Sequence, residues 1–523
     1  MARYVKCFRD FSGGLSDAGG DNMADNQLQQ AMNAVPGALG LMRAEGTVAA
    51  LPPLPEHTFH RATDIIELTL ADGSDRLVVF SEYPSAQQDV YLYDGEHESW
   101  TALLSGQTPK KDSFVRAHKL YWLTGSDVKV YDGTSVSSLA ATPAGSSLTP
   151  AETAVWNKVK MAVAVEQRGR RWFYAPPDNE VIFSEIGDPA LIDSTNIINV
   201  EPGSNDRITT LKEFSGGLLI FLSNSVYFLS GWDLDGGSDV TLSRLSVSSG
   251  TDFPRTVQVA ENAVYYLGRD GVYRLRLPQN SMLPAAANIS EDRVSRTLLS
   301  GSAVYDAFAT VWNNVYHISA YFTDRPPREY RYYPRLDAFF GPYDHGAYSY
   351  SLLEGNRLYL GLNEGRIARF DRGARSYLQS DGTFAPIRFD VMTKGFNVAG
   401  ALARNVKIKS LILAARQYKE ESSHLTVQVK TDYSDARFGL DLLSLDESLV
   451  YGEGVFGEAI WGWKDLTTRE LLLNRRAKRA TLRFCDEHAD EPLVIYGVAL
   501  YYKGRKVKGE RYGSSRLEPV YDD

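Results

Sequence analysis

Only two cysteines, Cys7 and Cys485, occur in 523 residues, so disulfides do not organise this chain and a reducing compartment of synthesis fits. Long apolar runs are scarce too. The stretch 218–222 (LLIFL) falls far short of the ~20 residues a membrane helix requires. The opening MARYVKCFRDFSGG lacks the apolar segment of a secretory signal, so none is expected. Positive charge is not in excess: 56 Lys and Arg against 65 Asp and Glu leave a net charge of -9, which argues against a surface that grips nucleic acid throughout. Helical periodicity is thin. One stretch, 26–33 (NQLQQAMN), sets Leu28 and Met32 at i,i+4 behind Asp25 as N-cap and predicts a short helix.

Chemical motifs are missing as well. The chain contains no phosphate-cradling GxxxxGKS or GxxxxGKT, no GxSxG, no HExxH and no CxxC. His57 and His60 have metal-like i,i+3 spacing but no third ligand nearby, and Cys485 with His488 is no stronger. Asp233, Asp235 and Asp239 cluster on a glycine turn, yet Arg244 stands where a calcium loop would need its glutamate. A glycosidase needs two carboxylates facing one pocket, and 65 acidic residues make some pair inevitable without singling one out. No catalytic residue, metal site or cofactor is expected, and the chain reads as a non-enzyme.

What is abundant is tyrosine, with 30 residues, and glycine, with 43. The first favours strands and the second turns, so the composition leans all-β. Between about 61 and 384 a unit recurs: a Tyr-rich apolar strand, a short polar turn and a second strand. KLYWLTGSDVKVYDG (119–133), GLLIFLSNSVYFL (217–229), NAVYYLGRDGVYRL (262–275) and NRLYLGLNEGRIARFD (356–371) are the clearest copies. Anchored on Leu77, Leu120, Trp172, Leu219, Val264, Val315 and Leu358, the copies are separated by 43, 52, 47, 45, 51 and 43 residues. Hairpins at a period of ~40–50 residues predict a β-propeller, here of six or seven blades.

Residues 1–60 read as an N-terminal arm whose apolar side chains are too dispersed for a core of their own. The arm must therefore lie on something else or stay mobile; as an assembly strap it would bury Phe11, Leu15, Leu28 and Met32 across a neighbouring subunit or an adaptor ring, and removal of residues 1–50 should leave the propeller folded. Residues 385–523 predict a β-sandwich of jelly-roll type, from alternating runs such as 405–413 and 424–433. Basic clusters at 469–483 and 503–516 give this region a basic tail that could meet phosphates or an acidic partner.

FSGGL (11–15), DNMADNQLQQAMNAV (21–35), GALGLMRAEGT (37–47), FSEIGDPALIDSTNIINV (183–200), the segment 203–231 and FGEAIWGW (456–463) together resemble tailed-phage virion proteins, a group that includes podovirus tail nozzle (tail hub, or head-stabilising) proteins. That resemblance implies a structural virion protein, made in the host cytoplasm and placed in the tail. Six copies would form a ring below the portal and adaptor and conduct double-stranded DNA during ejection without reading its sequence. Portal-proximal tail proteins and tail fibres are the implied partners, and no membrane-spanning segment is expected. The alternative reading is a receptor- or glycan-binding β-propeller of a minor tail protein, with exposed Tyr and Trp gathered on one propeller face.

Overall fold

A computed structural model describes residues 3–504 except 19–21, 38–39, 56–59, 84–86, 144, 146, 160–164, 168, 176–177, 202, 232–239, 300–303, 323–325, 372, 399–404, 418–423, 433, 442–466 and 488–492. Among the described residues, six runs of four antiparallel strands follow one another along the chain, at 61–107, 112–138, 165–199, 208–244, 258–288 and 304–343, and a seventh blade has its first three strands at 349–371. All seven repeat anchors lie on the second strand of their blade. The first strands of neighbouring blades touch, as Gln258–Ala260 touches Val304–Trp312, and Val304–Trp312 touches Ser349–Leu353. Ser349–Leu353 in turn meets Arg61–Thr69, so the ring of first strands closes on itself around the axis. The protein is a seven-bladed β-propeller with an N-terminal arm and a C-terminal β-sandwich.

Each blade is covered on both faces by its neighbours, which explains the near-continuous apolar second strands. Gly217–Leu222 is buried at all six positions. Leu218, Ile220 and Leu222 pack with Trp172 and Val181 of the third blade, whereas Leu219 and Phe221 pack with Val264 and Tyr266 of the fifth. The same alternation puts Leu68, Val78 and Phe80 against Leu120, Trp122 and Tyr131 between the first and second blades. Tight hairpins need positive φ, and Asn313 with Asn314 (φ 51° and 60°) supplies it between the first two strands of the sixth blade.

Closure is made by the arm. Gly46–Leu51 forms the fourth strand of the seventh blade, pairing Ala49 with Ala368 and Thr47 with Phe370. On the inner side, Ser349 Oγ donates to the Ala62 carbonyl at 2.6 Å and the Ile65 amide donates to Ser351 Oγ at 2.8 Å. Backbones approach so closely here that a Cβ on Gly361 would lie 1.9 Å from the Ala62 oxygen.

The rest of the arm is woven into the sandwich. One sandwich sheet places Val406–Gln417 between Thr467–Ala477 and Leu493–Gly504, and Arg3–Phe8 adds to the far edge of Leu493–Gly504. The other runs Phe389–Thr393, Arg479–Asp486, His424–Thr431, Ser434–Asp441. Gln27–Met32 joins Phe389–Thr393 to Ala338–Tyr343 of the sixth blade, so one sheet continues from propeller into sandwich.

Three expectations are corrected here. Phe11, Leu15 and Leu28 are buried in the chain's own core beside Phe339, Val391 and Phe484, and Met32 is half-buried, so these side chains are not held in reserve for another subunit. Residues 27–32 form a strand rather than a helix, because sheet edges on both sides supply pairing that outweighs a two-residue helical signal. Removal of residues 1–50 takes away a blade strand. Helices occur instead at Pro150–Val159 and Ser295–Leu299. The first starts at a capping box in which the Thr149 amide donates to Glu152 Oε2 at 2.7 Å and the Glu152 amide donates back to Thr149 Oγ1 at 3.2 Å.

Candidate functional site at one mouth of the propeller

Among the described residues, a gathering of functional groups surrounds one end of the propeller axis, where the first strands begin, with Phe308 buried at its base. Arg61 opens the first strand of the first blade and lies opposite Glu82 on the second strand. The arginine side chain covers the Tyr348 ring at 4.5 Å, just before the seventh blade. Tyr348 in turn meets Tyr321 of the sixth blade, with ring centres 4.8 Å apart. Phe308 packs on Tyr321 at 5.6 Å and lies under the Arg255 guanidinium, also at 5.6 Å. Arg255 pairs with Asp306 at 2.6 Å, and Asp306 is the register partner of Tyr321. Tyr305, 77% exposed, stands beside Asp306 on the same strand. The first and sixth blades and the connections into the fifth and seventh thus contribute to one run of aromatic rings, guanidinium groups and carboxylates.

Local sequence explains the placement. In an up-and-down blade, the start of the first strand and the end of the second lie on the same edge. Polar residues at those positions, such as Arg61, Glu82, Asp306 and Tyr321, all reach one mouth, while the strand centres between them stay apolar.

The electrostatics set Glu82 apart. Burial raises its carboxyl above the usual range and Asp306 adds to that shift, while Arg255, Lys110 and Lys111 oppose it. Tyr321 is held neutral well beyond the ordinary phenol range, chiefly by burial. Lys110 is anchored beside the mouth, its Nζ 2.6 Å from Asp64 Oδ2 and 3.0 Å from Ser113 Oγ.

Beneath the aromatic run lies a buried polar network. Phe308 rests on Tyr350 at 4.8 Å, and the Tyr350 hydroxyl donates to Glu329. His345 Nε2 is 2.5 Å from Glu329 Oε2, while His317 Nδ1 (3.1 Å) and Arg331 Nε meet Oε1. Burial alone would raise the Glu329 carboxyl, but Arg331, His345 and His317 together hold it well below the usual range. His317 is shifted down, because burial disfavours its charged form more than Glu329 favours it. This network fixes the floor on which Phe308 and Tyr321 sit.

The residues singled out in the sequence fare differently. His60 is buried, edge-on to Tyr83 with ring centres 3.9 Å apart and within 3.4 Å of Ser81 Oγ, so it is a core histidine. Cys485 is half-buried in the sandwich. Arg483 is engaged with Asp390, at 2.7 Å from Nε to Oδ1, whereas Arg475 and Arg476 are exposed. His57, His488, the 233–239 aspartates, 456–463 and the basic residues after 504 lie outside the described residues. Glu82, Asp306 and the Glu329 network had no sequence signal, since their partners sit on other strands and blades, as Arg255 does 51 residues from Asp306 and Tyr350 does 21 residues from Glu329.

No protein-family model matches the chain, and no curated protein does. Similar solved structures include extracellular domains of a one component system and of a hybrid two component system, both from B. thetaiotaomicron. Each is 10% identical to this chain, with TM-scores of 0.38 and 0.40 over 73% and 88% of its length. The matches span 44% and 62% of those proteins' chains, less than two thirds of either. An exo-beta-1,3-galactanase from Phanerochaete chrysosporium, solved with galactose, aligns over 87% of this chain and all of its own, at 9% identity and a TM-score of 0.24. Likeness at this level transfers no activity.

These findings correct the phage reading. The similar structures are extracellular sensor domains and glycoside hydrolases rather than tail nozzles, so assignment to a tail nozzle, location in the virion and a role in DNA ejection are withdrawn. The ring, adaptor, tail-fibre and DNA partners that followed from that resemblance are not carried further. The expectation of a non-enzyme is withdrawn too, since glycoside hydrolases stand among the similar folds. Among the described residues, no helix is long and apolar enough to cross a membrane.

Proposed function

We propose that this protein is a carbohydrate-binding β-propeller whose ligand enters the mouth formed by the first and sixth blades and the connections into the fifth and seventh. The observation that carries the reading is the run Arg61, Tyr348, Tyr321, Phe308, Arg255, Asp306. A sugar ring presents an apolar C–H face and an edge of hydroxyls. Aromatic side chains meet the first, and guanidinium forks beside carboxylates meet the second. A nucleic-acid ligand fits poorly, because Glu82, Asp306 and Asp64 would face its phosphates. The test is a glycan array probed with the full chain, followed by calorimetry on the strongest ligand. Arg61→Ala and Tyr348→Ala should each weaken binding at least tenfold, or about 1.4 kcal/mol. Binding indifferent to both variants, or no glycan bound at all, counts against the proposal.

A second reading, hydrolysis of the bound glycan, draws support from Glu82. Burial raises its carboxyl and the Asp306 charge adds to the shift, the direction a general acid needs beside a partner carboxylate. Glu82→Gln should then abolish turnover of the array ligand while leaving its affinity within about twofold. Equal turnover by the two proteins removes this reading and leaves binding intact.

A further inference from the structure

A recess of about 400 Å³ opens on the first blade, lined by Pro55, Tyr83, Gln87, Asp89, Tyr91 and Trp100 among others. Its size lies within the ~300–1,000 Å³ of small-molecule sites. The recess is built rather than incidental. Asp89 is 4% exposed and accepts from the Gly106 amide at 2.8 Å, from the Tyr91 hydroxyl at 3.0 Å and from the Tyr83 hydroxyl. One buried carboxylate therefore fixes two phenols, each committed as a donor to Asp89 and left with acceptor capacity. The Trp100 indole is pinned at its edge, Nε1 donating to the Pro52 carbonyl at 3.2 Å, and Tyr93 packs against the ring at 5.0 Å. Gln87 is exposed at the rim and brings an amide that both donates and accepts.

The recess adjoins the mouth. Glu82 ends the second strand and Tyr83, the next residue, lines the recess, so the two sites meet at consecutive residues. His60, next to Arg61, meets the Tyr83 ring edge-on and ties the two together. We propose that the first-blade recess is a second sugar subsite, so that the ligand is an oligosaccharide occupying the mouth with one part and stacking another on Trp100. This deepens, and rests on, the carbohydrate reading of the mouth. A single monosaccharide would leave one of two prepared surfaces empty.

The experiment uses the full chain and an array of mono- to hexasaccharides, then titration of the strongest ligand and its shorter fragments while tryptophan fluorescence is monitored. Affinity should rise at least tenfold once the ligand is long enough to reach the recess, with a change in fluorescence. Trp100→Ala and Gln87→Ala should each bring the long ligand down toward the affinity of its short fragment, and Trp100→Phe should retain an intermediate affinity. Gln87 is exposed, so its variant keeps the test valid if Trp100→Ala fails to fold. Arg61→Ala should instead weaken long and short ligands alike. Affinity independent of length and untouched by Trp100→Phe and Gln87→Ala overturns the second subsite and leaves the mouth reading standing. An array with no bound glycan overturns both.

Discussion

Glu329 shows how one side chain can hold a junction of blades. It is fully buried on the sixth blade, and its partners include Tyr350 of the seventh blade and His345 of the connection between them. Arg331 extends the same contact, its guanidinium 3.9 Å above Tyr343 and 5.2 Å from Phe370 of the seventh blade. Glu329→Ala strands Arg331 without its carboxylate, so it should cost about 3–5 kcal/mol, read from the urea unfolding midpoint. The same residues make stability depend on pH. The folded-state values of Glu329 and His317 are both depressed, so in acid the unfolded chain takes up protons that the folded chain refuses. The stabilisation is complete above pH 6.5, declines as pH falls through the ordinary histidine range, and declines further below the ordinary glutamate value of 4.5. His317→Gln should flatten the decline between about pH 6.5 and 5 while leaving the steeper fall at lower pH, measured as melting temperature against pH.

The decisive element is the short strand Gly46–Leu51. Its sequence, GTVAAL, has little to distinguish it from loop, and its value lies in the edge of Ile367–Asp371 that it covers. An open edge strand invites slippage and association with other chains. A chain lacking residues 1–51 should lose amide-exchange protection across 349–371 and form soluble aggregates, while the middle blades keep their protection. Protection unchanged in the seventh blade would show that ring closure rests on Ser349 and Ser351 alone. The missed helix at Pro150–Val159 teaches the complementary lesson: Thr149 and Glu152 carried a readable capping signal, while Val155, Trp156 and Val159 revealed their role only as cover for Leu123 and Phe173 between the second and third blades.

Propeller and sandwich share material from the same forty residues. Phe8, Leu15, Leu28 and Leu41 belong to the cluster that also contains Ile408, Leu411, Leu482 and Ile495. Arg43 pairs with Asp486 at 2.6 Å, each side chain only 1% exposed. A fragment spanning 385–523 should therefore stay largely unfolded by far-ultraviolet circular dichroism, since it retains buried polar partners such as Asp486 without their counter-charges and loses arm strands from both sheets. Adding residues 1–45 through a flexible linker should restore the strand signal. A well-folded 385–523 fragment would mean that the arm strands decorate the sandwich without completing it.

The repeat was legible in the sequence, with six and seven blades both open, because each blade must bury both faces. That demand writes a strongly apolar second strand about every 40–50 residues, from Leu77 to Leu358. The sandwich strands at 406–417 and 424–431 were legible for a related reason, alternation across a half-buried sheet. What the sequence could not specify is who pairs with whom across hundreds of residues. Gly46–Leu51 finds Ile367–Asp371, Leu28 finds Thr393, and Arg61 meets Tyr348 only after the ring has closed. Composition and local periodicity act over a few residues, so they determined the blades. The arm's course and the mouth's constellation are contacts between distant segments, and only the tertiary structure decided them.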